Sequence, residues 1–128
     1  MNLLLDTHAL LWMLSDPGQL SESAKKALTA AENNLHFSIA SYWEIAIKVS
    51  LGKLTLSAEW QRTVPAEVTR NGIQWLPIAP RHIDTLASLP WIHRDPFDRL
   101  LISQAKTDHL GIVTRDPEFS AYGVETVW

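Results

Sequence analysis

The chain contains no cysteine. That excludes a disulfide framework, a thiolate metal site and a cysteine nucleophile. No apolar run approaches the roughly 18 residues of a membrane-spanning helix, so no membrane association is expected. The first residues, Met1-Asn2-Leu3-Leu4-Leu5-Asp6, form too short an apolar run for a signal peptide and carry no basic flank; the cytoplasm is the expected compartment. There is no internal repeat, low-complexity tract or linker, so residues 1–128 read as a single domain, long enough for a real core. Nor is there an excess of positive charge. The formal net charge of −3 argues mildly against a nucleic-acid partner. The argument weakens if some acids bind cations, because setting aside four of them leaves ten against eleven basic residues. Local charge must decide.

What is present alternates between short apolar runs and periodic segments. Asn2 to Leu5 is wholly apolar after its first residue, as suits a strand covered on both faces of a parallel sheet. It ends in Asp6-Thr7 and is followed by a helix over His8 to Leu14. Asp6 reads either as the N-cap of that helix or, if Thr7 caps instead, as a free functional acid. A polar helix opens at Ser21 and runs to about Ala31. Leu35 to Ile39 is a second strand candidate, ending at Ser38. Ala40 to Leu51 is a helix closed by Gly52. Ser57 to Asn71 is a helix weakened by Pro65 that can break in two. Ile73 to Ile78, Ile112 to Thr114 and Val124 to Trp128 are further strands. Arg81 to Leu89 and Phe97 to about His109 are helices, the second with Gly111 as its stop. The pattern predicts an α/β fold: three layers, α/β/α, around a mostly parallel sheet of about five short strands.

Two helices carry polar groups where apolar ones are expected. The first begins at His93-Arg94-Asp95-Pro96-Phe97-Asp98, with Asp95 as N-cap and Pro96 at the first helical position. Stepping about 100° per residue, Leu101, Ile102 and Ala105 fall within about 60° of Asp98. A carboxylate thus stands on a face that should be buried, which is costly unless the charge is paired or binds a metal. The second helix, Ala40 to Leu51, is apolar almost all round and is expected to be largely buried. Its one polar strip, Ser41-Glu44-Lys48, either faces a cleft or makes an ordinary i,i+4 ion pair on an exposed edge.

Chain geometry brings these acids together. From Asp98 to His109 a helix rises about 16 Å at 1.5 Å per residue. From Gly111 to Asp116 an extended chain returns about 16 Å at roughly 3.3 Å per residue. Asp116 then lies level with Asp98, although it also reads as an N-cap before Pro117. If the strands before Asp6 and Asp116 are parallel, both acids sit at one sheet edge, and Glu44, early in the helix after the second strand, joins them. Four carboxylates at one edge repel strongly. A divalent cation relieves the repulsion, and oxygen-only ligation favours Mg²⁺ or Mn²⁺ over Zn²⁺. Such a site suits phosphoryl transfer or phosphodiester hydrolysis.

Four segments in order, Leu3-Leu4-Leu5-Asp6-Thr7-His8, Ser41 to Lys48, His93 to Ile102 and Val113-Thr114-Arg115-Asp116, give a chain that resembles the PIN-domain ribonucleases, and among them the VapC-type toxins of bacterial toxin–antitoxin pairs. The resemblance implies a Mg²⁺- or Mn²⁺-dependent endoribonuclease in which Asp6, Glu44, Asp98 and Asp116 hold the metal directly or through water. Thr114 matches a hydroxyl position beside the last acid. Hydrolysis is expected to leave a 5′-phosphate and a 3′-hydroxyl. The implied partners are RNA, a small VapB-like antitoxin whose tail covers the site, and a second copy of the chain in a homodimer.

Other residues divide between roles. Asp95 is read as a cap in preference to a ligand. Lys48, Arg94 and Arg99 flank the acidic motifs and are candidates for phosphate contact, against a plain reading as solvated or salt-bridged charge. Trp12 and Trp43 lie in apolar helical patterns and are expected in the core, whereas Trp60, Trp75 and Trp91 are in less regular segments and, if exposed, are candidates for base stacking. The five histidines, His8, His36, His82, His93 and His109, show no ligand spacing, and His109 suits a helix C-terminus. Competing readings are another Mg²⁺-dependent phosphohydrolase and a catalytically silent binding protein of the same fold. A phosphoacceptor receiver domain is disfavoured, since the adjacent early acids and the lone mid-chain Asp are missing.

Overall fold

Leu3, Leu4 and Leu5 are wholly buried, as a strand enclosed on both faces requires. They form β1, Asn2–Leu5, at the centre of a five-stranded sheet. In the computed structural model, which describes residues 1–128, the other strands are β2 (Asn34–Ser38), β3 (Gln74–Leu76), β4 (Gly111–Val113) and β5 (Thr126–Val127). Every pairing is parallel, and the spatial order is β3-β2-β1-β4-β5. Asn2 to Leu5 pair with Asn34 to Phe37 on one side, and Leu3 to Leu5 pair with Gly111 to Val113 on the other. Gly111 does not stop a helix, as the sequence suggested. It opens β4, where a Cβ would stand 3.0 Å from Leu3 Cδ2. The stop is His109, in the left-handed region at φ 56°.

Alternation along β1 divides the core. Leu3 and Leu5 face a cluster with Ala9, Leu10, Ala24, Ile45, Val64 and Val68. These come from helices α1 (Thr7–Ser15), α2 (Glu22–Thr29), α3 (Ile39–Ser50) and α4 (Trp60–Arg70). Leu4 faces the opposite cluster with Leu101, Ile102, Ala105 and Phe119. That side is covered by α6 (Pro96–Asp108), against which α5 (Pro80–Ala87) packs. The fold is a parallel sheet with helices on both faces. No helix is long and apolar enough to cross a membrane.

Pro65 does not divide α4. Proline cannot donate to the carbonyl four residues back, which here is Gln61; that oxygen accepts a long hydrogen bond from the Tyr42 hydroxyl at 3.5 Å instead. The chain order β1, β2, β3 runs outward on one side of β1, and β4 then crosses to the other side. Between β1 and β4 the order reverses. In open α/β sheets that reversal leaves a crevice beyond the strand C-termini.

Candidate functional site

A helix following a parallel strand starts at the strand's C-terminal edge, so a carboxylate that caps it is delivered there. Asp6 follows β1 and caps α1, its Oδ1 accepting from the Ala9 N–H at 2.7 Å. Asp95 caps α6, with Oδ1 accepting from the N–H groups of Phe97 at 2.8 Å and Asp98 at 3.2 Å. Asp116 follows β4 and caps a 3₁₀ turn, Pro117–Tyr122, by accepting from the Glu118 N–H at 2.9 Å. Each cap uses one carboxylate oxygen. Thr7 does not cap α1, which was the alternative that would have freed Asp6. Its hydroxyl donates to Glu44 Oε1 at 2.5 Å.

Asp6, Glu44, Asp98 and Asp116 line one cleft of about 400 Å³, together with Asp95, Lys48 and Arg115. Glu44 is 4% exposed. Its second oxygen meets Lys48 Nζ at 2.7 Å, so the i,i+4 pair exists but faces the cleft. Ser41, the third member of that strip, is buried away from the cleft, and its hydroxyl has no partner. Burial opposes the charge on Lys48, yet Glu44, Asp95 and Asp98 hold its pKa above the ordinary value. Burial pushes Asp6 upward, opposed by the Thr114 hydroxyl, the Ala9 N–H and His8.

Asp98 differs from the others. Its carboxylate accepts no hydrogen bond from the protein, and burial, Asp95 and Glu44 raise its pKa to about 7.

His93 joins the acids without any signal in the sequence. Its Nε2 is 2.9 Å from Asp116 Oδ2. The buried Tyr122 hydroxyl accepts from the His93 backbone N–H at 2.6 Å and lies 3.0 Å from Nδ1. The Asp116 carboxylate, 2.9 Å from Nε2, can only accept when ionised. Nε2 therefore carries the ring hydrogen and donates it to Asp116. Burial acts to raise the Asp116 pKa, but this bond and the Glu118 N–H hold it below the ordinary carboxylate value.

Arg99 and Arg94 stand away from the cleft, while Thr114 stands beside the last acid as the resemblance implies. Arg99 is 3% exposed. Its guanidinium donates to the carbonyls of Pro90 at 2.8 Å, Leu89 at 3.4 Å and Leu86 at 3.5 Å, and lies 3.9 Å from the Trp91 ring centroid. It ties the loop before α6 to the helix and does not reach the cleft. Arg94 is exposed and lines no part of the cleft. Thr114 is buried behind the acids, where its hydroxyl accepts from the Asp116 N–H at 3.1 Å. Lys48 does line the cleft, and Arg115, which the sequence reading passed over, lines it too.

Trp43 departs from the core position expected of it. Trp43 is 54% exposed, edge-on to Phe97 at 5.0 Å. Trp12 is half-buried and borders the cleft. Trp91 is 80% exposed.

The donor chemistry fits a divalent cation. Atoms of His93, Asp98 and Asp116 that can ligate lie within 4.8 Å of one another, and the Asp98 carboxylate accepts no hydrogen bond from the protein that would offset its burial. Asp6 supplies a third carboxylate in the same cleft. With its hydrogen on Nε2, His93 orients Asp116 rather than ligating directly.

Comparison with known proteins agrees with this architecture. No curated protein matches the chain. Among solved structures, it is similar to a chain in the crystal structure of VapBC2 from Rickettsia felis bound to a DNA fragment from their promoter. That match has a TM-score of 0.74 and 15% identity, covering 98% of this chain and 97% of that one. It is similar to a chain of FitAcB from Neisseria gonorrhoeae, with a TM-score of 0.67, 19% identity and coverage of 97% and 95%. For VapBC-1 from nontypeable Haemophilus influenzae the values are 0.65, 15%, 98% and 96%. At these identities the likeness is one of fold. The family described as PIN domain matches residues 3–125, and by that match over nearly its whole length the chain belongs to the PIN domain family.

Proposed function

We propose that the protein is a divalent-metal-dependent endoribonuclease, the toxin of a toxin–antitoxin pair. The observation that carries this reading is the meeting of Asp6, Glu44, Asp98 and Asp116 in one cleft at the point where the strand order reverses. Asp98, Asp116 and Asp6 would hold Mg²⁺ or Mn²⁺, with Glu44 acting through water because Thr7 and Lys48 occupy its oxygens. When bound, the ion supplies polarisation of a phosphate and activation of a water molecule.

The chain's own groups do the rest. His93 fixes the rotamer of Asp116, and Tyr122 fixes His93. Thr7 holds Glu44 against α1, and Lys48, one turn on along α3, pairs its second oxygen. Arg115, which makes no ion pair, offers its charge to the phosphate backbone at the mouth. Similarity in fold to chains of toxin–antitoxin complexes supports an antitoxin partner. The exposed indoles of Trp43 and Trp91 support a protein contact, whether that antitoxin or a second copy. A cytoplasmic location follows from this role.

The test is cleavage of RNA by antitoxin-free protein with Mg²⁺, with Mn²⁺ and with EDTA, using Asp6→Asn as control. Cleavage that requires the ion and disappears in Asp6→Asn is expected. Turnover of other phosphate esters but not RNA would make the protein a different phosphohydrolase. Neither turnover nor Mn²⁺ binding would make it a silent relative.

A further inference from the structure

Carboxylates of Asp6, Glu44, Asp95, Asp98 and Asp116 line the cleft, and Lys48 and Arg115 are its only lysine or arginine charges. The two cations are placed differently. The Arg115 guanidinium makes no ion pair and stands 5.8 Å from the Trp12 ring centroid. Lys48 is half-buried, and its ammonium meets Glu44 Oε2 at 2.7 Å. Asp95 and Asp98 act on it too, helping Glu44 to keep it charged against the cost of burial. Helix α3 itself sets the pair, with Glu44 one turn before Lys48, the favourable order for an i,i+4 ion pair. The Lys48 carbonyl accepts from the N–H groups of Lys53 at 2.9 Å and Leu54 at 3.2 Å, which anchors the base of the side chain. Glu44 is 4% exposed, so the bond is partly withdrawn from water and its charges act more strongly than a surface pair. Of the two cations, Lys48 alone compensates the acids directly.

We propose that Lys48 is a tethered counter-cation, which offsets the cleft acids when no divalent ion is bound and opposes the ion's entry, so that it sets the affinity of the site. This role presupposes the cation site proposed above. An ion held by Asp98, Asp116 and Asp6 shares the cleft with the ammonium, and like charges in a partly dry site repel. The ammonium also neutralises Glu44, whose charge would otherwise draw the ion in. The chain thereby gains a compensated cleft without the ion and loses affinity for it. Removing one partner of a buried pair leaves the other charge uncompensated. Loss of the Lys48 charge should therefore weaken the ion-free fold and strengthen ion binding together. A role in which Lys48 orients Glu44 for the ion predicts the opposite sign, weaker ion binding when Lys48 is lost.

The experiment measures ion binding apart from cleavage. Mn²⁺ is titrated calorimetrically into the antitoxin-free full chain, as wild type and carrying Lys48→Met, Lys48→Arg or Arg115→Met. The same proteins are unfolded thermally in EDTA and in saturating Mn²⁺. Lys48→Met should bind Mn²⁺ at least about tenfold more tightly than the wild type, as removal of a like charge from the same cleft implies. Lys48→Arg keeps the charge and should bind as the wild type does. Arg115→Met should gain less than Lys48→Met, because that guanidinium pairs with none of the acids. In EDTA, Lys48→Met should unfold at a lower temperature than the wild type, and saturating Mn²⁺ should narrow the gap, since the tighter ion stabilises more by mass action. Unchanged or weaker Mn²⁺ binding in Lys48→Met would overturn the role, as would an equal gain in Arg115→Met. If Lys48→Met does not fold, Lys48→Gln, which can still donate to Glu44 but carries no charge, decides by the same titration: unchanged or weaker affinity overturns the role. Mn²⁺ binding by the wild type, with affinity unaltered in the neutral Lys48 variants, would remove the counter-cation and leave the metal site. Absence of Mn²⁺ binding in every one of these proteins would remove both.

Discussion

Replacing Asp98 with Asn nearly preserves the shape of the side chain and removes the charge of the one cleft carboxylate that accepts no hydrogen bond from the protein. The Asp98 carboxyl, ordinarily near 3.8, is raised to about 7 by burial, Asp95 and Glu44. The folded state thus binds this proton more tightly than the unfolded chain. Stability falls as pH rises between about 4 and 7, and it stays lowered above that range. At about 1.36 kcal/mol per pH unit, the rise corresponds to about 4 kcal/mol. The group is only half-buried, and solvent screening reduces the figure to about 2 kcal/mol.

In EDTA at pH 8, Asp98→Asn should therefore be more stable than the wild type by about 2 kcal/mol, a Tm increase of roughly 6–10 °C for a domain of this size. The advantage should shrink toward pH 4. Saturating Mn²⁺ should reverse the order, because an ion that binds only the folded wild type stabilises it by mass action. Thermal unfolding followed by circular dichroism at pH 4, 6 and 8, with EDTA or Mn²⁺, measures all three effects. A variant no more stable than the wild type at pH 8 in EDTA would refute the argument. So would an equal Mn²⁺-induced rise in both proteins.

Other consequences are open to direct measurement. Asp95→Asn should keep the start of α6, since Asn caps nearly as well as Asp, and should lower the Asp98 pKa by removing a neighbouring charge; an NMR titration that finds Asp98 unmoved counts against that coupling. Arg99→Lys should cost about 1–3 kcal/mol through lost bonds to buried carbonyls while leaving KM for RNA unchanged, and a raised KM with unchanged stability would return Arg99 to the substrate. Tyr122→Phe should free the His93 ring and weaken Mn²⁺ binding about 10- to 100-fold, as loss of a group behind a metal ligand does; calorimetry showing undiminished affinity would mean that His93 does not position Asp116.

Much of this site is visible from local chemistry. Leu3 to Leu5 announce a doubly covered strand, and the acids at Asp6 and Asp116 stand just beyond runs that become β1 and β4. The cap signatures at Asp95-Pro96 and Asp116-Pro117 set where the next turns begin. The cap and cleft readings of Asp6 and Asp116 are not alternatives: capping is how the chain delivers each carboxylate to the cleft.

Other features have no local cause. His93 is oriented by Tyr122 and bonded to Asp116, which are 29 and 23 residues away, so no spacing rule finds it. Arg99 lies one residue from Asp98, yet it turns to the carbonyls of the loop between α5 and α6. Trp43 shares an apolar helix with Ile45, but Ile45 is buried while Trp43 remains largely outside. Periodicity assigns residues to a common face; it does not say which faces a neighbouring element will cover.

The strands, most helix starts and the chain positions of four acids follow from the chemistry of a few adjacent residues. Long-range packing sets the rest: Asp98 accepts no hydrogen bond from the protein while Glu44 has two partners, His93 steers Asp116, and Arg115 rather than Arg99 faces the cleft. Those outcomes depend on which groups from distant segments meet when the sheet closes between β1 and β4.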